Sequence, residues 1–208
     1  MINGTQGYRE EAQDFIKRTE SLAFAEKHQH VIHLFPCVPC SLLDIGAGTG
    51  ADAAHFAALG HRVVAVEPTH ELRLAGMALH PSNQIEWVND SLPDLVETRT
   101  RKQQFDLVTM IGVWMHLDAE ERQRAMPIVA TMLRSGGLLI LSLRHGPVPP
   151  GRRMFAVSAE ETICLARSHG LRCVLNVSAE SIQVGNRQAG VIWSHLAFDL
   201  PAPIEIGR

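Results

Sequence analysis

Leu42-Leu43-Asp44-Ile45-Gly46-Ala47-Gly48-Thr49-Gly50-Ala51-Asp52, written LLDIGAGTGAD, is the stretch on which the fold turns. A short apolar run that ends in alternate glycines reads as a strand entering a tight turn and then a helix. Glycine permits positive φ and lets another group approach the backbone without a Cβ in the way. Two spacings coexist in these letters. G-x-G-x-x-A, from Gly46 to Ala51, is the fingerprint of a dinucleotide-binding dehydrogenase. G-x-G-x-G, from Gly46 to Gly50, suits a ligand with no pyrophosphate.

Working outward, Asp52 to Leu59 is Ala-rich and helical, and Gly60 closes it where a left-handed residue costs least. Arg62 to Val66 (RVVAV) is β-branched and uncharged after its first residue, as a strand buried on both faces requires. That strand runs into Glu67-Pro68, which places a carboxylate 21 positions after Gly46. A carboxylate there can accept hydrogen bonds from both hydroxyls of a ribose. Glycine loop, helix and acid in this order point to an adenosine-containing ligand, whereas the glycines alone would carry little weight.

The alternation continues. Glu71 to Leu79 reads as a helix stopped by Pro81, and Ile85 to Val88 and Phe105 to Met110 as the third and fourth strands. Asp118 to Leu133 has helical spacing, with Pro127 expected to kink or break it. Gly137 to Leu143 is a fifth strand. Ser158 to Ser168 is a further helix with Ser158 as N-cap, Glu161 three residues on and Gly170 behind it. Leu171 to Val177 and Val191 to Leu200 close the chain, with too little between them for a crossover helix, so they are expected as an antiparallel pair at the sheet edge. Ahead of the sheet, Tyr8 to Leu34 reads as one or two helices, ended by Pro36 and Pro39. The expectation is an α/β fold: a Rossmann-like, doubly wound sheet of seven mostly parallel strands with an antiparallel edge strand, helices on both faces and an N-terminal helical extension. Residues 1–40 would form a helical cap and residues 41–208 the ligand-binding domain, as one structural unit.

Composition excludes several classes of partner. The 208 residues carry a formal net charge of −3 and no long basic run, so no nucleic-acid partner is expected. Arg152-Arg153 is expected to be solvated surface. The N-terminus lacks a signal-peptide layout and no apolar run approaches the ~20 residues that cross a bilayer, so a cytoplasmic, membrane-free protein is expected. Cys37 and Cys40 make a lone C-x-x-C with no matching second pair, and are read as structural or incidental thiols with no metal.

At this point the sequence resembles the class I S-adenosylmethionine-dependent methyltransferases, from about Ser41 to Leu200. LLDIGAGTG resembles the first motif of that family, with Asp44 at its acidic position and Gly46, Ala47, Gly48 and Gly50 in its loop. VVAVEPT resembles the second, with Glu67 as the ribose-binding acid beside Pro68. NDSLPDL places Asp90 where the family commonly holds an acid beside the adenine amine, with Ser91 and Leu92 next to it. FDLVTMIGVWMHL resembles the fourth strand and its exit, which brings Ile111 to the cofactor, and LRSGGLLILSL the fifth. The resemblance implies S-adenosyl-L-methionine as cofactor, S-adenosyl-L-homocysteine as product, and methyl transfer by in-line displacement with no metal. A dehydrogenase leaves Asp44 and Asp90 without a role, and a cofactor-holding but non-catalytic protein is the other alternative.

The acceptor is partly bounded. The Asn/Asp-Pro-Pro-aromatic tetrad of the amine- and glutamine-methylating members is replaced by Ile111-Gly112-Val113-Trp114, and no cysteine occurs between Cys40 and Cys164. A small-molecule acceptor is therefore expected, with a protein side chain as the alternative. His116 and His145 are the candidate bases, because an imidazole titrates near neutral pH. Trp114, Arg144, Arg153 and Tyr8 are candidate acceptor contacts, the arginines for an anionic group. Arg18 could pair with the methionine carboxylate in bidentate fashion. The oligomeric state is not legible.

Overall fold

A computed structural model of the chain describes residues 4–202. The outermost residues of the two expected segments, 1–3 and 203–208, lie outside it. Seven strands form one sheet: β1 (Ser41–Ile45), β2 (Arg62–Val66), β3 (Ile85–Val88), β4 (Phe105–Met110), β5 (Leu133–His145), β6 (Arg172–Glu180) and β7 (Ile192–Asp199). Their order is β3-β2-β1-β4-β5-β7-β6, with β1 to β5 parallel and β7 antiparallel to both its neighbours. The expected antiparallel pair thus forms the edge of the sheet, and β7 slots between β5 and β6. Strand order reverses between β1 and β4, which opens a crevice at their carboxyl ends.

Among the described residues, eight α-helices flank the sheet: α1 (Ala12–Glu20), α2 (Phe24–Lys27), α3 (Ala51–Ala58), α4 (His70–Leu79), α5 (Val96–Thr100), α6 (Ala119–Thr131), α7 (Ala159–Ser168) and α8 (Val184–Gln188). Residues alternate between two cores, as strand geometry demands. Leu43, Ile45, Val64, Val66, Val108, Leu139 and Leu141 pack on one face with Met126 and Val129 of α6 and Ala166 of α7. Leu42, Val63, Ala65, Leu107 and Ile140 pack on the other with Ala53 and Phe56 of α3, Val31, Phe24 and Phe35. Burying a side chain such as Phe56 contributes ~1.5–3 kcal/mol. No helix among the described residues is long and apolar enough to cross a membrane.

Three local outcomes differ from the sequence expectation. Helix α6 runs unbroken through Pro127. Its start is fixed by a reciprocal cap in which Asp118 accepts from the Glu121 amide and Glu121 from the Asp118 amide, each at 2.9 Å. Ala125, Met126, Val129 and Ala130 are buried on both sides of the proline, so packing holds the helix together across the missing hydrogen bond. Strand β5 begins at Leu133, earlier than Gly137, because Phe105 of β4 already pairs there before a register shift. The polar stretch before β7 contains the short helix α8.

Candidate functional site

The loop after β1 is set by its own backbone. The amides of Gly46 and Ala47 both donate to the carbonyl of Val66, at 2.8 and 2.9 Å, which ties the turn to the end of β2. Gly46 has φ +73°, and a Cβ there would lie 2.4 Å from Cγ2 of Val113. Glycine is required on both counts. Gly50, also at positive φ, has a different neighbour: a Cβ there would stand 2.6 Å from the Trp87 ring, and one at Gly76 would stand 2.4 Å from it. Two glycines, one in the loop and one in α4, make the slot that the Trp87 indole fills.

Glu67 is buried at the end of β2. Its Oε2 accepts from the Gly48 amide at 2.8 Å and its Oε1 from the Thr69 amide at 2.7 Å. Burial raises its carboxyl pKa above the ordinary value, and the hydrogen bonds from Thr69 and Gly48 oppose that. The Thr69 hydroxyl bonds this carboxylate too, and with room for two hydrogen bonds on each oxygen the group still retains acceptor capacity.

Asp44 and Asp90 are oriented inward. Asp44 accepts from Oγ1 of Thr109 at 2.7 Å. Its carboxyl is pushed up to about 7, first by burial and then by the negative charge of Asp52. Asp52 is held in the opposite direction, below the usual carboxylate range: burial acts against this, but Lys27 and His28 prevail. Lys27 Nζ stands 2.6 Å and His28 Nε2 3.0 Å from its Oδ2, which pins α2 over the start of α3. Asp90 accepts from the amide and the hydroxyl of Thr98, both at 2.7 Å, and from the Ser91 amide at 2.8 Å. It caps α5 from a distance, because Leu95, the residue at the cap position, has no side-chain acceptor.

A cavity of about 690 Å³ opens over the carboxyl ends of the central strands. At one end it is lined by Gly46, Gly48, Glu67, Pro68, Ser91, Leu92 and Ile111, with Arg18 from α1. At the other stand Tyr8, His116, Arg144, Arg152, Trp193 and His195. Asp44, Ala47, Gly50 and Asp90 support this wall from behind rather than lining it. Buried carboxylate, positive-φ glycines and a guanidinium at one end fit an adenosyl amino acid in chemistry: acceptors for ribose, backbone for close approach, a cation for a carboxylate.

The two candidate bases part ways. His116 is 6 % exposed. Its Nδ1 lies 2.7 Å from the carbonyl oxygen of Arg153, which can only accept, so Nδ1 carries the hydrogen and Nε2 of the neutral ring is a free acceptor. Tyr8 Oη lies 3.0 Å from that Nε2 and donates to it. Burial lowers the pKa of His116 below 6.5, which keeps the ring neutral, and it raises that of Tyr8. The Arg152 guanidinium lies 3.6 Å from the Tyr8 ring centroid and pairs with Glu11 at 2.7 Å. His145 points to the other face of β5, where its Nε2 meets Oγ of Ser194 at 2.8 Å.

Among the other expected acceptor contacts, Trp114 is fully buried in the core. Arg153 spends its guanidinium on the His116 carbonyl, Glu121 and Asp118, at 2.7, 2.7 and 3.0 Å. The expectation of a solvated Arg152-Arg153 pair is therefore corrected. Both arginines are tied down by acids from distant segments, Glu11 in one case and Asp118 with Glu121 in the other, a pairing that local sequence does not reveal. Arg152, Trp193 and His195 belong to the site as well, and no local motif marks them. Period-two alternation along β7 would have put Trp193 and His195 on one face, but not shown which face meets the cavity. Cys40 Sγ contacts Nδ1 of His61 at 3.4 Å, and Cys37 is exposed.

Sheet order, glycine loop after β1 and buried acid after β2 together define the fold of the class I S-adenosylmethionine-dependent methyltransferases. In sequence, residues 43–141 match a family model described as a methyltransferase domain. In structure it is similar to 1,6-didemethyltoxoflavin-N1-methyltransferase of Burkholderia thailandensis, solved with 1,6-didemethyltoxoflavin and S-adenosylhomocysteine, with a TM-score of 0.71, 20 % identity, and 93 % of this chain and 84 % of that one covered. It is also similar to the N-methyltransferase NodS of Bradyrhizobium japonicum WM9 in complex with S-adenosylhomocysteine (TM-score 0.68, 19 % identity, coverage 88 % and 91 %). A TehB-like methyltransferase of Corynebacterium glutamicum is comparable (TM-score 0.67, 18 % identity, coverage 92 % and 96 %). No curated protein matches the chain in sequence.

Proposed function

We propose that the protein is an S-adenosyl-L-methionine-dependent methyltransferase acting on a small-molecule acceptor. The observation that carries this reading is a single cavity that joins the Glu67 end to the Tyr8–His116 pair. Its volume is in the range of sites for small ligands, ~300–1,000 Å³. The structural neighbours from Burkholderia and Bradyrhizobium, both N-methyltransferases with S-adenosylhomocysteine bound, support the same reading.

Glu67 would hold the ribose hydroxyls, the Gly46–Gly48 backbone and Arg18 the amino-acid part, and Ser91, Leu92 and Ile111 the adenine side. When bound, the cofactor supplies a methyl group already activated on a sulfonium sulfur, so the protein must mainly align the acceptor for in-line attack. Tyr8 is the group that faces the acceptor. As the acceptor's N–H or O–H is lost, its proton passes to Tyr8 Oη while the phenolic proton passes to His116 Nε2. The resulting imidazolium keeps its Nδ1–H on the Arg153 carbonyl. The carboxyl of Glu67 and the guanidinium of Arg152 stay in place throughout.

Calorimetry with S-adenosylmethionine, S-adenosylhomocysteine and NAD tests the cofactor. Binding of the first two without NAD is expected, and tight NAD binding with no response to the others overturns the reading. A methyl-transfer screen of metabolite pools then tests turnover. A blank screen beside tight cofactor binding would favour a cofactor-holding, non-catalytic protein.

A further inference from the structure

We infer that the acceptor is a small anion, a carboxylate or a phosphate ester, whose charge is held by Arg144 and whose apolar body rests on Trp193. This deepens the reading above and rests on it. Strands β5 and β7 pair Ser142 with His195 and Arg144 with Trp193. All four residues line the cavity, while Leu143 and His145 alternate to the other face. The cavity floor is thus a patch two residues wide and two long, and it carries one full charge.

Of the Lys and Arg side chains that line the cavity, Arg144 and Arg18 carry no ion pair among the described residues, whereas Lys27 and Arg152 do. Lys27 is paired with Asp52 at 2.6 Å and Arg152 with Glu11 at 2.7 Å. Glu67 accepts from two amides, and Arg18 stands beside Phe15, which borders Gly48 of the glycine loop. Glu180 borders the cavity from β6, but it pairs in register with Ile192, on the alternate side from Trp193. Arg144 has no carboxylate partner among the described residues. Its Nη1 donates to the Pro147 carbonyl at 2.7 Å, which fixes the plane of the guanidinium and leaves other N–H groups to offer. Burial opposes its charge and lowers its pKa, a cost that an incoming anion offsets. A fixed guanidinium suits bidentate contact with carboxylate or phosphate oxygens. The charges of Arg152, Glu67, Arg18 and Arg144 all act on the Tyr8 phenol, Arg144 the least of the four. The indole of Trp193, beside Gly112, supplies the apolar wall next to that anchor.

The test uses benzoate, phenyl phosphate and the neutral isostere benzamide, titrated by calorimetry into the full chain saturated with S-adenosylhomocysteine. At least one of the two acids is expected to bind ten-fold or more tightly than benzamide, and which acid does so separates carboxylate from phosphate. Arg144→Gln should cut that preference to under three-fold, and Arg144→Lys should keep part of it. Trp193→Ala should weaken all three ligands alike. Benzamide binding as tightly as both acids, no binding of any of the three, or a preference that survives Arg144→Gln would each overturn the inference. Affinity for S-adenosylhomocysteine, measured first in every variant, reports on folding. Its absence in the wild type would count against the methyltransferase reading instead.

Discussion

The phenol of Tyr8 donates to Nε2 of His116 at 3.0 Å, across 108 positions of sequence. This bond joins the N-terminal segment to the exit of β4 and gives the imidazole a defined tautomer. Tyr8→Phe removes the relay while keeping the ring against Phe15 and Arg152. With an acceptor from the methyl-transfer screen, kcat should fall by ~10²-fold or more, while affinity for S-adenosylhomocysteine changes less than about three-fold. In the wild type the acid limb of the kcat/KM–pH profile should lie below 6.5, because burial lowers the His116 pKa. His116→Asn should abolish that limb.

Gly46→Ala is expected to destabilise the fold by ~2–5 kcal/mol, the sum of a left-handed penalty and an overpacking penalty. The two parts separate in urea denaturation. Adding Val113→Ala removes Cγ2 of Val113, which would stand 2.4 Å from the new Cβ, and should restore only the overpacking part. Full restoration would show that φ +73° costs nothing there.

Asp90→Ala should lower the melting temperature, because three donors lose their acceptor and α5 loses its cap, at ~1–3 kcal/mol for each buried group left unsatisfied. Affinity for S-adenosylhomocysteine, measured on the folded fraction, should change less than about three-fold. A loss of ten-fold or more would restore the direct adenine contact expected from the motif.

Buried Asp44 and half-buried His195 give opposite pH dependences of stability. His195, held down to about 4 by burial and by His30 and His28, stays neutral in the fold while the unfolded chain takes up its proton. Its contribution is complete above about 6.5 and is lost as pH falls towards 4. Asp44, pushed up to about 7, does the reverse: the fold retains its proton, and stability is lost as pH rises from ~3.9 towards 7. Thermal melts at pH 4 to 8 should therefore show Asp44→Asn gaining on the wild type as pH rises. His195→Asn should gain on it as pH falls.

Much of the fold was legible in the sequence because it rests on local chemistry. Strands β1 and β2 are apolar runs with nowhere to go but the interior, Gly60 and Gly170 end helices in the left-handed region, and Ser158 caps α7 through the Glu161 amide. The turn after β1 was legible as well, since its alternate glycines permit the positive φ found at Gly46, Gly48 and Gly50. The run through Pro127 was not legible, because the apolar contacts that keep α6 continuous come from other elements.

What only the tertiary structure decided is which way each side chain faces and what neutralises it. Adjacent residues diverge: Arg144 faces the cavity and His145 the opposite core, while Arg152 covers Tyr8 and Arg153 anchors the start of α6. Asp90 and Gly50 occupy motif positions, yet here one caps a helix and the other makes room for Trp87. A strand's alternation is a local property, but the choice of which face meets a cavity depends on long-range packing. So does the pairing of a charge with an acid more than a hundred residues away, as for Arg152 and Glu11, and no short stretch of sequence contains either.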